Sequence, residues 1–443
     1  MNKDLTIGKP QTVLIKYTLP LFVSIIFQQL YNMADSIIVG KFVGESALAA
    51  VGASYPITMI FMAVAVGSQV GCSVVISRLY GSKDYLQTKT SISTTIISGF
   101  VISTILTALG TIFSPLLINL VNTPENIFSD ADLYLRIYTG GFIFLFLYNA
   151  ATGIFNSLGD SRTPLIFLIC SSLSNIFLDI LFVSGFGWGV AGAAWATFIA
   201  QGAACVLSLI VLKKRIKFLK TEKKAKLFSL SSLKSISKVA VPSILQQSFV
   251  SVGNMFIQVL VNGFGSSVIA GYSAAIKLNT FGVTTFTTLA GGVSNFTAQN
   301  MGAVKHDRIK KGFATGLVFA LSVAAVFFLL FFFFGEQLLS LFMDAQNSPL
   351  ATKTGIEFLK IVSPFYFFIC TKLICDGVLR GSEKMAAFMI ATFTDLALRV
   401  ILAFSLSGFM GTSGIWCSWP ISWVIATGLS VIFYAKLAKS FNK

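Results

Sequence analysis

The chain has 443 residues, 55% of them hydrophobic and only 11% charged, with a net charge of +16 and a mean hydropathy of +0.81. A soluble domain carries about 25% charged residues, so composition excludes a soluble fold and implies an integral membrane protein. The same composition offers an enzyme little: the single histidine, His306, lies in a basic loop, and no HExxH, GxSxG or P-loop pattern occurs.

A helix needs about 20 apolar residues to cross a hydrocarbon core of roughly 30 Å, and continuous apolar runs favour helices over a barrel. In chain order, twelve spans are expected near 14–39, 50–77, 92–120, 133–156, 163–186, 190–212, 238–262, 268–298, 312–334, 355–379, 385–408 and 412–435. The first carries Pro20 and, in NMADSIIVG, Asp35; the fifth carries Asn175 and, in SNIFLDILFV, Asp179; the sixth carries Thr197. Between the sixth and seventh lies KKRIKFLKTEKKAKLF at 213–228, read as a cytoplasmic linker. It divides the chain into an N-terminal six-helix lobe at 1–212, a linker at 213–237 and a C-terminal six-helix lobe at 238–443. Lys277 falls within the eighth span, and the run FFLLFFFF at 327–334 is lipid-facing bulk. Further on, Lys372 and Asp376 fall in the tenth span and Asp395 and Arg399 in the eleventh.

The basic residues follow orientation. With both termini cytoplasmic, 26 of the 33 Lys and Arg residues fall inside and Lys41, Arg136, Lys353 and Lys360 outside, which obeys the positive-inside rule. Orientation therefore explains the charge, and no nucleic-acid partner is expected. The six cysteines all sit in apolar segments, without the spacing of a disulfide framework or a metal site. The first apolar run has full span length, so it reads as an uncleaved helix.

The two halves are related. Sliding the sequence by 222 residues places Lys16 on Lys238, Pro20 on Pro242, Asn32 on Asn254, Met33 on Met255, Ala53 on Ala275, Thr58 on Thr280 and Gly192 on Gly414. Six spans repeated as six leave both copies in the same orientation, related by an axis along the membrane normal. Asp35 and Asp179 fall on isoleucines under this slide, and neither has a basic residue three or four positions away. The acids of the second half are accompanied at i,i+4 spacing, Lys372 by Asp376 and Asp395 by Arg399. A carboxylate at membrane depth costs about 2.5 to 3.5 kcal/mol on insertion scales, so an isolated one points to function. Kept from water, such a carboxyl carries a proton near neutrality or binds sodium when deprotonated. Asn175, one turn before Asp179, and Thr197 supply oxygen atoms for a sodium site.

The segments PLFVSIIFQQLYNMADSIIVGKFVGESALAAVGAS at 20–54, GCSVVISRLYGSKDY at 71–85, GIFNSLGDSRTPL at 153–165 and GVLRGSEK at 377–384 resemble those of the multidrug and toxic compound extrusion (MATE) family of secondary transporters. The resemblance spans nearly the whole chain. It implies an all-α membrane protein of two pseudo-symmetric six-helix lobes forming a V. Such a protein would act as an efflux antiporter of the cell membrane, exporting lipophilic, often cationic compounds by alternating access against inward proton or sodium flow. It would work as a monomer in membrane lipid, without a cofactor. In the N-lobe-coupled branch, the matching coupling residues are Asp35, Asn175, Asp179 and Thr197. The C-lobe-coupled branch uses a glutamate on the seventh helix, and 238–262 holds no acid. Departures from the family pattern are Asn156 before the GD motif, Glu383 and Lys384 in the second lobe, and Ile180 after Asp179. Gln28, Asn32 and Met33, within about two turns of Asp35, are expected to line the substrate cavity. The rival reading is a lipid-linked oligosaccharide flippase, toward which only Lys277 points.

Overall fold

A computed structural model describes residues 3–42, 45–121, 123–342 and 348–441, with the side chains of 32–48 outside the description. Among the described residues every regular element is a helix. The N-terminal half runs α1 (Pro10–Phe42), α2 (Glu45–Gly81), α3 (Tyr85–Ile112), α4 (Ser114–Leu120), α5 (Glu125–Gly140), α6 (Phe142–Ser157), α7 (Arg162–Asp179) and α8 (Gly189–Lys217). The C-terminal half runs α9 (Leu230–Asn262), α10 (Ser266–Gly302), α11 (His306–Phe333), α12 (Gly335–Leu339), α13 (Pro349–Val362), α14 (Tyr366–Gly381), α15 (Met385–Met410) and α16 (Thr412–Ser440).

Ten described helices are long and apolar enough to cross a membrane, and the bent pair α5 and α6 makes an eleventh. The twelfth is α10, 37 residues long and so about 55 Å from end to end, but with more polar residues than its neighbours. The spans expected as single segments at 133–156 and 355–379 are instead broken and begin earlier. α5 and α6 meet at 44° across Gly141, where the pair Gly140 and Gly141 weakens helical continuity. α13 and α14 are separated by a 3-10 turn, Ser363–Phe365, because Pro364 lacks the N–H that would continue the ladder. Both begin early because their first two turns carry polar residues such as Asp130, Asp132 and Thr352 beyond the apolar part.

The repeat is visible in the close contacts. On α6, a Cβ on Gly153 would stand 2.7 Å from the Gln69 carbonyl oxygen of α2; on α14, a Cβ on Gly377 would stand 2.5 Å from that of Ala290 on α10. These contacts pair residues 221 apart on the second helices and 224 apart on the later ones. The uniform 222-residue register is thus an average, and part of the drift is the longer break before α14. Matched to helix starts, Arg162 of α7 corresponds to Met385 of α15, which sets Asp179 against Leu402 rather than Ile401. The partner position is apolar either way.

The chain forms two compact units. The first comprises Met1–Asp4 and Leu19–Ser248, and the second Leu5–Thr18 and Phe249–Lys443. The first unit therefore includes the opening of α9, where Gly71 of α2 brings its backbone against Ala240 so closely that a Cβ would meet it at 2.4 Å. Its core gathers Ala50, Ile57 and Phe61 of α2 with Phe142 and Phe146 of α6. The second unit includes the opening of α1, whose Tyr17 hydroxyl accepts from the Asn295 amide at 3.0 Å. Its core is aromatic: Tyr272 stacks on Trp416 at 5.1 Å, and Phe358 meets Trp416 edge-on, the two arrangements that aromatic quadrupoles favour.

Gly153→Ala and Gly377→Ala are each expected to destabilise their unit by about 1 to 3 kcal/mol, the usual cost of overpacking, because backbone rather than a side-chain tip blocks the added methyl. Thermal unfolding of the detergent-solubilised protein checks this. Unchanged midpoints would mean that the helices can separate there without cost.

Candidate functional site

Two tight turns fix the site in the first unit. Asp160 opens α7 by accepting from the Thr163 N–H at 3.2 Å and hydroxyl at 2.8 Å, and pairs with Arg215 of α8 at 3.3 Å. At the other end, α7 passes into a π-helical turn, Ile180–Gly185. There Phe186 N–H bonds to Leu181 O at 2.9 Å, and Trp188 N–H bonds to Phe182 O at 3.0 Å. Gly187 and Gly189 take positive φ, +67° and +56°, which glycine adopts without a Cβ penalty. Gly192 then lets α8 run against the Phe182 backbone, 3.1 Å from where a Cβ would be. Together these features clamp α7 against α8 and bring Thr197 opposite Asn175. A π turn beginning directly after a buried acid is a common companion of functional sites.

Asp179 is fully buried and Asn175 is 2% exposed. The Asn175 amide is oriented by its neighbours: its nitrogen donates to Asp179 Oδ2 at 3.1 Å and to Tyr31 Oη of α1 at 2.5 Å, and its oxygen accepts from the Thr197 N–H at 3.1 Å. An ionised carboxylate only accepts and a protonated one also donates. The nitrogen turned toward Asp179 therefore matches its charged form. Asn175 thus links the charge of Asp179 to α1 on one side and to α8 on the other.

Three of the four expected coupling residues, Asn175, Asp179 and Thr197, are brought together. The side chain of the fourth, Asp35, lies outside the described residues, as do those of Asn32 and Met33; the α1 backbone puts Asp35 one turn beyond Tyr31. Gln28 is half-buried and makes no hydrogen bond to the described residues of the cluster. Tyr31 was not among the expected residues. Its signal was its place four residues before Asp35, one turn along the same helix.

The second unit neutralises its intramembrane acids as the spacing indicated. Lys372 pairs with Asp376 at 2.9 Å, and Asp376 also accepts from the Ser430 hydroxyl at 2.7 Å. Arg399 pairs with Asp395 at 3.0 Å and lies over the Trp419 ring, 4.1 Å from its centre. All four charged groups are buried. Among the described residues no cluster of three or more His, Cys, Asp or Glu is arranged to hold a metal ion.

A family model described as MatE matches residues 20–181 and 242–405. The chain belongs to the MatE family. The two matched segments begin 222 and end 224 residues apart, the same drift that the paired glycines show. Over 428 residues the chain is 28% identical to the probable multidrug resistance protein YoeA of Bacillus subtilis (strain 168), covering 94% of this chain and 92% of that protein. It is 27% identical over 421 residues to a FAD transporter of Shewanella oneidensis, covering 93% and 91%. The fold matches a MOP superfamily transporter from Pyrococcus furiosus with a TM-score of 0.93 at 21% identity, over 99% of this chain and 98% of that one. It also matches a MATE family multidrug resistance transporter in an outward-facing conformation, with a TM-score of 0.91 at 22% identity, over 100% and 98%. MatE members are membrane transporters and not enzymes, so the chain is a multi-pass membrane transporter, and solved relatives of its fold have twelve membrane helices in two lobes.

Proposed function

We propose that this MatE protein exports lipophilic, often cationic compounds from the cell in exchange for inward ion flow, with Asp179 as the group that takes up and releases the ion. The supporting observation is the Asn175 amide, which donates at 3.1 Å to a carboxyl removed from water and joins it to Tyr31 and Thr197. A proton on Asp179 reverses which atom faces it favourably. The reversal exchanges donor for acceptor at Tyr31 on α1 and at Thr197 on α8, so protonation changes how α1 is held to the rest of its unit. Asp35, one turn along α1 from Tyr31, is the second acid of this reading. Two carboxyls that interact titrate as a pair rather than singly.

Sodium is the second reading, favoured by the oxygen atoms of Asp179, Asn175, Thr197 and Tyr31, a hard donor set of the kind that hard cations take. In both readings the protein resides in the plasma membrane with its termini in the cytoplasm and its 213–237 linker between two six-helix lobes. Efflux of a fluorescent lipophilic cation from proteoliposomes, under a pH gradient, a sodium gradient or neither, separates them. Export driven by the pH gradient alone identifies the proton, and export driven by sodium alone identifies the metal ion. Equal export without either gradient overturns antiport.

A further inference from the structure

The polar content that sets α10 apart is not scattered. Ser273, Lys277, Thr280, Thr284 and Thr287 recur at steps of four, three, four and three residues, which places them on one stripe of the helix. In the second unit that stripe is uncovered: Lys277 and Thr280 are exposed and Ser273, Thr284 and Thr287 half-buried, while the opposite side packs on α13 and α14 through Gly271, Tyr272, Ala275 and Phe286. In the 221-residue register of the second helices, the matching positions of α2 in the first unit, a helix of equal length, are Gly52, Pro56, Met59, Ala63 and Val66. The two related helices thus differ at the same places in their units, polar on α10 and without polar side chains on α2.

Lipid does not account for the α10 stripe. Where the second unit exposes side chains suited to lipid, as along α11, they are Val318, Val326, Leu329, Leu330 and Phe333. Lys277 lies eleven residues from the start of α10, about 16 Å along the axis. A lysine near a membrane surface can extend its amine to the headgroups, and Thr287 donates to the Val283 carbonyl of its own helix at 2.9 Å, but the Thr280 and Thr284 hydroxyls, further along the same stripe, make no hydrogen bond among the described residues and would stand unsatisfied in hydrocarbon. A polar lining at this face, rather than lipid, meets that need. Among the described residues, Lys372 and Arg399 each have a carboxylate partner, whereas Lys277 forms no ion pair and its amine rests 5.6 Å from the centre of the Phe342 ring. Lys277 is thus an intramembrane cation left uncancelled among the described residues, beside the Thr280 hydroxyl and an aromatic ring.

We propose that this stripe lines the substrate path and that Lys277 binds the acidic group of amphipathic organic anions, so that the cargo includes compounds joining an apolar or aromatic body to a phosphate or carboxylate. The inference rests on the transporter reading above and extends its substrate class beyond cations. The Phe342 ring suits the aromatic body, and the Thr280 and Thr284 hydroxyls suit the remaining acceptor oxygens.

The test is equilibrium binding to the purified full chain in neutral-lipid nanodiscs. The probes are flavin mononucleotide and riboflavin, which share a fluorescent ring and differ by the phosphate, with ethidium as a cationic control. Wild-type protein is expected to bind flavin mononucleotide at least about tenfold more tightly than riboflavin. Lys277→Gln should lose that preference and Lys277→Arg keep it, with unfolding midpoints close to the wild type's in both. A second arm replaces the flavins with short-chain phosphatidic acid and phosphatidylcholine. A Lys277-dependent preference confined to this arm assigns the acidic group to a lipid headgroup, and one confined to the flavins assigns it to a soluble cargo. No preference in either arm, or one that Lys277→Gln retains, overturns the proposal. Thermal unfolding identifies a misfolded Lys277→Gln protein, and Lys277→Met then takes its place under the same criteria. Gradient-driven ethidium efflux by the wild type, measured separately, decides the transporter reading, so the two fail independently.

Discussion

Asp179→Asn is expected to reduce gradient-driven export to the level of protein-free liposomes while leaving the folded protein as stable as the wild type or more so. The substitution keeps the size of the side chain and one acceptor oxygen but removes the ability to carry a proton or neutralise a cation. Because Asp179 is fully buried, its charged form carries a desolvation cost that Asn does not, so loss of the charge is neutral or favourable to folding by about 1 kcal/mol or more. A residue that merely fastened helices would behave in the opposite way, losing stability first and transport only as a consequence. The neighbours should grade the effect. Asn175→Ala removes the amide that responds to the acid and should approach the Asp179→Asn phenotype. Tyr31→Phe removes one hydrogen bond, worth about 1 kcal/mol net, and should slow export without abolishing it. The measurements are efflux rates in proteoliposomes under both gradients and thermal unfolding of each variant. Full export by Asp179→Asn would refute the role assigned to this carboxyl.

Much of this arrangement could be read from the chain because membrane insertion makes charge expensive. An acid kept in an apolar span without a basic neighbour has few reasons to be there, and that alone selected Asp179 and Asp35. The same logic identified Lys372 with Asp376 and Asp395 with Arg399 as self-neutralised pairs, since an i,i+4 pair meets along one helix face. Tyr31 escaped because its hydroxyl costs far less in a membrane than a carboxylate and so leaves no conspicuous trace in composition. The breaks at Gly141 and Ser363–Phe365 escaped because hydropathy averages over a window and continues smoothly across a bend. The polar stripe of α10 was hidden for a related reason. Five positions spread over fifteen residues leave a span that still reads as apolar, and only the helix surface shows that they share a side.

Breaking the buried pair on α15 should damage stability more than either packed-glycine substitution, and removing both members should not. Arg399→Leu leaves the Asp395 carboxylate buried without its partner, which costs on the order of 3 to 5 kcal/mol; Asp395→Leu leaves the guanidinium likewise stranded, though still against the Trp419 ring at 4.1 Å. That contact softens the second loss, because a desolvated cation over an indole recovers up to about 2 kcal/mol. The double variant Asp395→Leu with Arg399→Met withdraws both charges and retains much of the volume against Trp419, so it should recover most of the loss. Unfolding midpoints of the four proteins give the coupling between the sites, and additive effects would show that the two charges do not stabilise each other. Transport supplies the functional half of the cycle. If ion coupling resides in the first unit, the double variant should still export under the same gradient as the wild type. Loss of gradient dependence in a stably folded double variant would move the coupling ion to the second unit.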